Sequence, residues 1–299
     1  MFNTPGAALK VYWNPTVFSF EIICVFLIVY LLLIWKLIAI MNKKQHNKLF
    51  MSSGYIVVIA IAILFPFGLG SIGAKTAIYP FINPFNIITN SIIKGYGVIG
   101  QSKQHPAPLL KGIPYIFGGQ IIGALVGLIL FWVSFKGIKS YFKNNEDYSE
   151  LKRYSFYHFF KSDTKTNFGS WGTKEIVFIA LFVLATTFTG FINKTNYDTD
   201  HFQVVLIQIL LIGFITIISS YFGYFEFHLL FPLIIIFVQT IELIGLKGYK
   251  EARKELRKEY LKSFLRFIFI TIVSIIIPIL VGFMVIAIKI KQNVNISLS

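Results

Sequence analysis

Asn83-Pro84 lies in the stretch YPFINPFNIITNSIIKGYGVIG, residues 79–100, between two long apolar runs. A primary amide at membrane depth can donate its N–H groups to a passing hydroxyl or water oxygen while neighbouring backbone carbonyls accept. Asn is also a strong helix cap, so Asn83 is either a pore donor or a cap on the helix that follows. Unsatisfied backbone in hydrocarbon costs several kcal/mol per group, so an interrupted segment there must be buried in protein or line a watery cavity. Glu21 and Glu175 stand in the apolar runs, where a carboxylate is expensive and marks a functional candidate such as a proton relay. The remaining reactive inventory is thin. Cys24 is the one cysteine, which excludes a disulfide framework and a Cys-based metal site. His46, His105, His158, His201 and His228 are scattered, with no His-x-x-x-His pair, and there is no Walker-type loop, zinc-ligand spacing or nucleophile elbow. The expectation is therefore no catalytic residue, metal or cofactor, and no enzyme.

The elements that must position these residues are membrane helices. With 56% hydrophobic and 14% charged residues, the 299-residue chain is too apolar for a soluble domain of its size. Its net charge of +15 falls between the apolar runs, where anionic headgroups are nearer partners than nucleic acid. The first run is too long for a signal-peptide core and is expected to stay as a span. Six runs reach the roughly 20 residues that cross a bilayer: 17–41, 54–73, 113–135, 175–192, 202–222 and 264–288. Two shorter ones, 83–93 and 232–244, read as half-helices with Pro84 and Pro232 in their first turns. The basic segment 247–262 has Glu251 with Lys254 and Glu255 with Lys258 at i, i+3, which suits a helix at the interface or a solvated helical loop.

The short runs take corresponding places in two halves, 17–135 and 175–288, joined by 136–174. EIICVFLIVYLLLI from Glu21 resembles EIVFIALFVLATTF from Glu175, Pro84 answers Pro232, and IIGALVG ending at Gly127 answers IPILVG ending at Gly282. Each half holds three spans, an odd number, so the second enters the membrane inverted. The fold class expected is an all-α membrane protein, an inverted repeat in a single transmembrane domain, 1–299. Gly119, Gly123, Ala124 and Gly127, with Gly118, form a small-residue face for close helix packing.

INPF at residues 82–85 resembles the Asn-Pro-Ala box of the aquaporin and glycerol-facilitator (major intrinsic protein) family. YIFGGQIIGALVG, residues 115–127, resembles that family's third-helix pattern, and GYFEFHLLFPL from Gly223 occupies the place of its second box. The resemblance covers about residues 17–287. It implies six transmembrane helices plus two re-entrant half-helices whose positive N-terminal ends meet on one axis. It also implies a pore near Asn83, Pro84, Phe85, Pro232, Ser219 and His228, with Glu21, Glu175 and Gln120 bracing loop backbone. A homotetramer in the cell membrane, its termini cytoplasmic and its permeant a small neutral solute such as glycerol or water, is implied as well.

The departures from the family pattern bear on selectivity. Phe231 stands where the second box has Asn, and Ile234 where a selectivity arginine follows, so a more apolar pore is expected, leaning to glycerol-like solutes. A non-conducting scaffold plugged by Phe231 is the alternative, and a proton-coupled transporter a third reading. Eighteen of the 28 Lys and Arg fall on the side opposite the termini, which by the positive-inside rule opposes the family orientation.

Overall fold

The computed structural model describes residues 13–73, 81–99, 112–145, 148–160, 167–192, 201–222, 230–246 and 250–292. Among them there is no strand. The helices are α1 (Pro15–Met41), α2 (Lys48–Gly73), α3 (Pro84–Ile99), α4 (Ile113–Tyr141), α5 (Ser149–Arg153), α6 (Phe168–Ile192), α7 (His201–Tyr221), α8 (Leu230–Gly245) and α9 (Lys250–Gln292). A 3-10 turn, Phe156–Phe160, follows α5. Among the described residues, six helices are long and apolar enough to cross a membrane: α1, α2, α4, α6, α7 and α9. At about 1.5 Å per residue, the 16-residue α3 and α8 reach only about 24 Å, short of a bilayer core.

Local chemistry sets the helix starts. Asn14 accepts from the backbone N–H groups of Thr16 and Val17, with Pro15 next in line. Asn47 accepts from the Phe50 N–H, so α2 starts at Lys48, six residues before its apolar run. Residues 48–53, KLFMSS, include a lysine and two serines that interrupt the apolar run but have no difficulty continuing a helix. For the same reason α9 is one helix of 43 residues that absorbs most of the basic segment read as a separate interfacial piece. The connection between the halves is likewise shorter than 136–174, because α4 runs on to Tyr141 and α6 begins at Phe168.

Packing follows the small residues. α1 lies against α4 and α2, α2 against α7, and α6 against α7 and α9. The short helix α3 contacts α9, α6 and α4, while α8 contacts α9, α4 and the 3-10 turn. On α4, a Cβ at Gly119, Gly123 or Gly127 would meet backbone oxygens of Phe18, Ile22 or Phe26 at 3.1, 2.4 and 3.0 Å. Gly118 meets nothing within 4 Å and is no part of this seam. Ala124 is buried between the outer glycines, in a cluster with Val25, Val29 and Phe131. Gly282 faces Ile92 of α3 at 3.0 Å, a different partner from that of its counterpart Gly127.

The outer surface is apolar along whole helix faces: Val57, Ile61, Phe65 and Leu69 on α2, and Ile272, Ile276, Leu280 and Phe283 on α9, are all exposed. Contiguous exposed apolar area of that extent fits lipid. Trp13 packs on Tyr115 and Phe18 at one end, and at the other Trp171 packs on Phe168 and Phe269 beneath the Arg266 guanidinium. Aromatic and basic side chains of this kind mark the membrane–water boundaries.

Candidate functional site

The site is built around the turn that leads into α3. Ile82 has φ 63°, a left-handed conformation that a β-branched residue rarely adopts. The Asn83 N–H donates to the Phe81 carbonyl across it, closing a γ-turn. Backbone of this sort costs on the order of 1–3 kcal/mol and persists only where the surroundings hold it. Three groups do. One carboxylate oxygen of Glu21 accepts from the Phe81 N–H. Its other oxygen accepts from the Gln120 amide at 2.8 Å. Asn86 Nδ2 donates to the Phe81 carbonyl at 3.1 Å, and Asn86 Oδ1 accepts from the Thr186 hydroxyl of α6 at 2.7 Å. Glu21 and Gln120 are fully buried. The carboxylate is thus a brace between α1, α4 and the turn.

Asn83 is 1% exposed, and its Oδ1 accepts from the Phe85 N–H at 3.3 Å, a cap on α3. Pro84 is the first residue of α3, and Pro232 the third of α8. Ile82 and Phe231 both pack against one small cluster made by Cys24, Ile28 and Leu32 of α1 with Val58 and Ala62 of α2. The Cys24 thiol donates to the Ala62 carbonyl at 3.0 Å and ties those two helices together there. The segments that begin α3 and α8 therefore converge on the α1–α2 contact.

On the α8 side of this cluster lies a cavity of about 60 Å³, lined by Lys36, Tyr55, Phe159, Phe160, Phe231 and Ile235 among others. It has room for a few water molecules. Lys36 donates to the Phe159 carbonyl at 2.7 Å and so holds the 3-10 turn at the mouth. An ammonium inside a long apolar helix needs such a partner.

The expected site residues separate into groups. Glu21, Gln120 and Asn83 come together at the γ-turn. Phe85 does not line an opening: it is 1% exposed and meets Phe182 of α6 edge-on, with ring centroids 6.2 Å apart. Ile234 is buried in the apolar cluster of α1 and α4, and Ile235, about 100° further round the helix, borders the cavity instead. Ser219 is fully buried and donates to the Thr216 carbonyl of its own helix at 2.9 Å. Glu175 is fully buried on α6. His228 lies outside the described residues.

Sequence reading missed Asn86, Thr186, Tyr55, Phe159 and Phe160. It also missed Lys36, although a lysine within the first apolar run is the signal that could have found the cavity. Comparison of the chain with protein-family models, with curated proteins and with solved structures finds no match.

Proposed function

We propose that the chain is a passive transmembrane channel for small uncharged solutes of the glycerol and water class, built as an aquaporin-like inverted repeat with α3 and α8 as re-entrant half-helices. The observation that carries this reading is the braced γ-turn. A buried carboxylate, a buried amide and an Asn side chain are all spent on fixing the backbone that presents Asn83 at the start of a short helix. Such strained and over-determined backbone concentrates at functional sites. The correspondence of packing partners supports the inversion: α1 with α2 and α4 in the first half, α6 with α7 and α9 in the second, with α2 against α7 between them. The N-terminal ends of α3 and α8 would each carry about half a positive charge toward the shared cluster, an arrangement that repels cations and leaves neutral solutes free to pass.

The aromatic mouth favours a second reading, a non-conducting protein of the same fold that serves as a scaffold. Phe231, Phe159 and Phe160 border the small cavity beside Lys36. Swelling of vesicles containing the purified protein separates the two. Permeability to water, glycerol or urea above that of empty vesicles, reduced strongly by Asn83→Ala with the amount of folded protein unchanged, is the expected result. Permeability equal to that of empty vesicles for all three solutes refutes the channel and leaves the scaffold.

A further inference from the structure

The second cavity of note lies outside the bundle core, where the 3-10 turn, the last turns of α8 and the first turns of α9 meet. Its volume is about 190 Å³, its lining includes Glu242, Glu255, Glu259, His158, Tyr157 and Gln239, and no Lys or Arg is among the described residues that line it. That composition stands out in a chain of net charge +15 with only 13 acidic residues. It arises because α9 segregates its charge. Lys250, Arg253, Lys254, Arg257 and Lys258 line a separate groove, whereas Glu255 and Glu259, one turn apart, line the cavity. Carboxylates at i, i+4 repel, and a cation placed near either relieves that repulsion.

A second observation points the same way. Gln239 is 2% exposed and lines the cavity; its Nε2 donates to the Phe160 carbonyl at 3.4 Å, while its Oε1 has no hydrogen-bond partner. A buried amide carbonyl left unpaired is unfavourable and calls for a donor. His158 Nδ1 accepts from the Ser155 backbone N–H at 3.1 Å, which fixes the ring at the rim. The acceptors are spread across the cavity, and no group of three or more His, Cys, Asp or Glu able to hold a metal ion exists among the described residues. A cation with several N–H donors matches them better than a bare ion.

We infer that this cavity binds a primary ammonium group, carried either by a soluble di- or polyamine or by an aminoethyl lipid headgroup at the adjacent membrane surface. Glu255 and Glu259 supply the charge and Gln239 Oε1 the buried acceptor. The inference is independent of whether the bundle conducts.

The test is calorimetric titration of the full-length purified protein in detergent at low salt with putrescine and with spermidine. A parallel arm measures thermal unfolding in nanodiscs of phosphatidylcholine alone or with phosphatidylethanolamine. Saturable binding that weakens about tenfold in Glu255→Gln and in Gln239→Leu, but not in Glu251→Gln, is the expected result, since one charge-assisted hydrogen bond is lost in the first and the buried acceptor in the second. Glu251 is on the same helix but not on the cavity, so its variant reports the general field. Binding of the free amines assigns a soluble ligand. Stabilisation by phosphatidylethanolamine that disappears in Glu255→Gln assigns the headgroup. Neither effect in the wild-type protein overturns the inference, as does equal weakening by Glu251→Gln, which would reduce the binding to diffuse ion attraction.

Discussion

A methyl group at Gly123 would lie 2.4 Å from the Ile22 carbonyl oxygen and 3.1 Å from the Phe26 nitrogen. Ordinary non-bonded contact needs about 3.5 Å, so Gly123→Ala forces α1 and α4 apart by about 1 Å. The obstacle is helical backbone, which cannot rotate away as a side chain would. Overpacking of that kind costs about 1–3 kcal/mol. The separation also stretches the buried Gln120–Glu21 hydrogen bond, one residue-turn from the clash, and a bond to a charged group is worth about 1.5–3 kcal/mol. Ala gains about 1 kcal/mol over Gly in a helix interior, which leaves a net loss of about 1.5–5 kcal/mol, the upper end applying only if the stretched bond is lost altogether. Gly118→Ala is the matched control: the same propensity gain, with nothing within 4 Å of the new methyl. Gly119→Ala and Gly127→Ala, at 3.1 and 3.0 Å, should fall between the two. The fully buried Cys24 provides the assay, because its thiol reacts with a fluorogenic maleimide only as the bundle opens on heating. Gly123→Ala should unfold about 5–10 °C below wild type, and Gly118→Ala at or slightly above it. If Gly123→Ala unfolds no lower than Gly118→Ala, the tight α1–α4 seam is wrong, and with it the register that aligns Gln120 to Glu21.

Glu21→Ala leaves the Phe81 N–H and the Gln120 amide without their acceptor, so the yield of folded protein should drop sharply by size-exclusion chromatography, whereas Glu21→Gln, which retains one acceptor, should recover part of it; equal yields for both would remove the bracing role. Lys36→Met deletes the bond to the Phe159 carbonyl and should loosen the 3-10 turn at the cavity mouth, raising solute flux in the vesicle assay; unchanged flux would mean that the turn does not obstruct a path. For orientation, a Cys24→Ser background with Ser149→Cys or Ser297→Cys, treated on intact cells with an impermeant thiol reagent, should label at 149 and not at 297 if the family orientation holds. Labelling at 297 alone would show that the basic side faces the cytoplasm.

Much of the architecture could be read from the sequence, because a bilayer demands about 20 apolar residues from any helix that crosses it, and such runs stand out locally. The starts of α3 and α8 were legible for a related reason: proline in an apolar stretch has few places to go other than a first helical turn. Helix ends were less legible wherever mixed or polar segments continue a helix beyond the apolar run, as in KLFMSS, 48–53, of α2 and the first three turns of α9. The site divides along the same line. Glu21, Gln120 and Asn83 carry rare polar types in apolar surroundings, so each was visible singly, but that Gln120 donates to Glu21 beside the turn before Asn83 required the fold. Asn86 and Thr186 were not visible, since an Asn in a helix and a Thr in a span are common, and what makes them matter is a contact across 100 residues. The placement of Ile234 and Ile235 shows the finest limit: one position on a helix is about 100° of rotation, the difference between core and cavity, and no local pattern in LFPLIIIFV distinguishes two adjacent isoleucines. Lys36 is the instructive case. A lysine within an apolar run is unfavourable unless something compensates it, so its presence alone implied a partner inside the protein, and the Phe159 carbonyl is one that the fold brings within reach. The anomaly could be read from residue type; the partner, 123 residues away, required the fold.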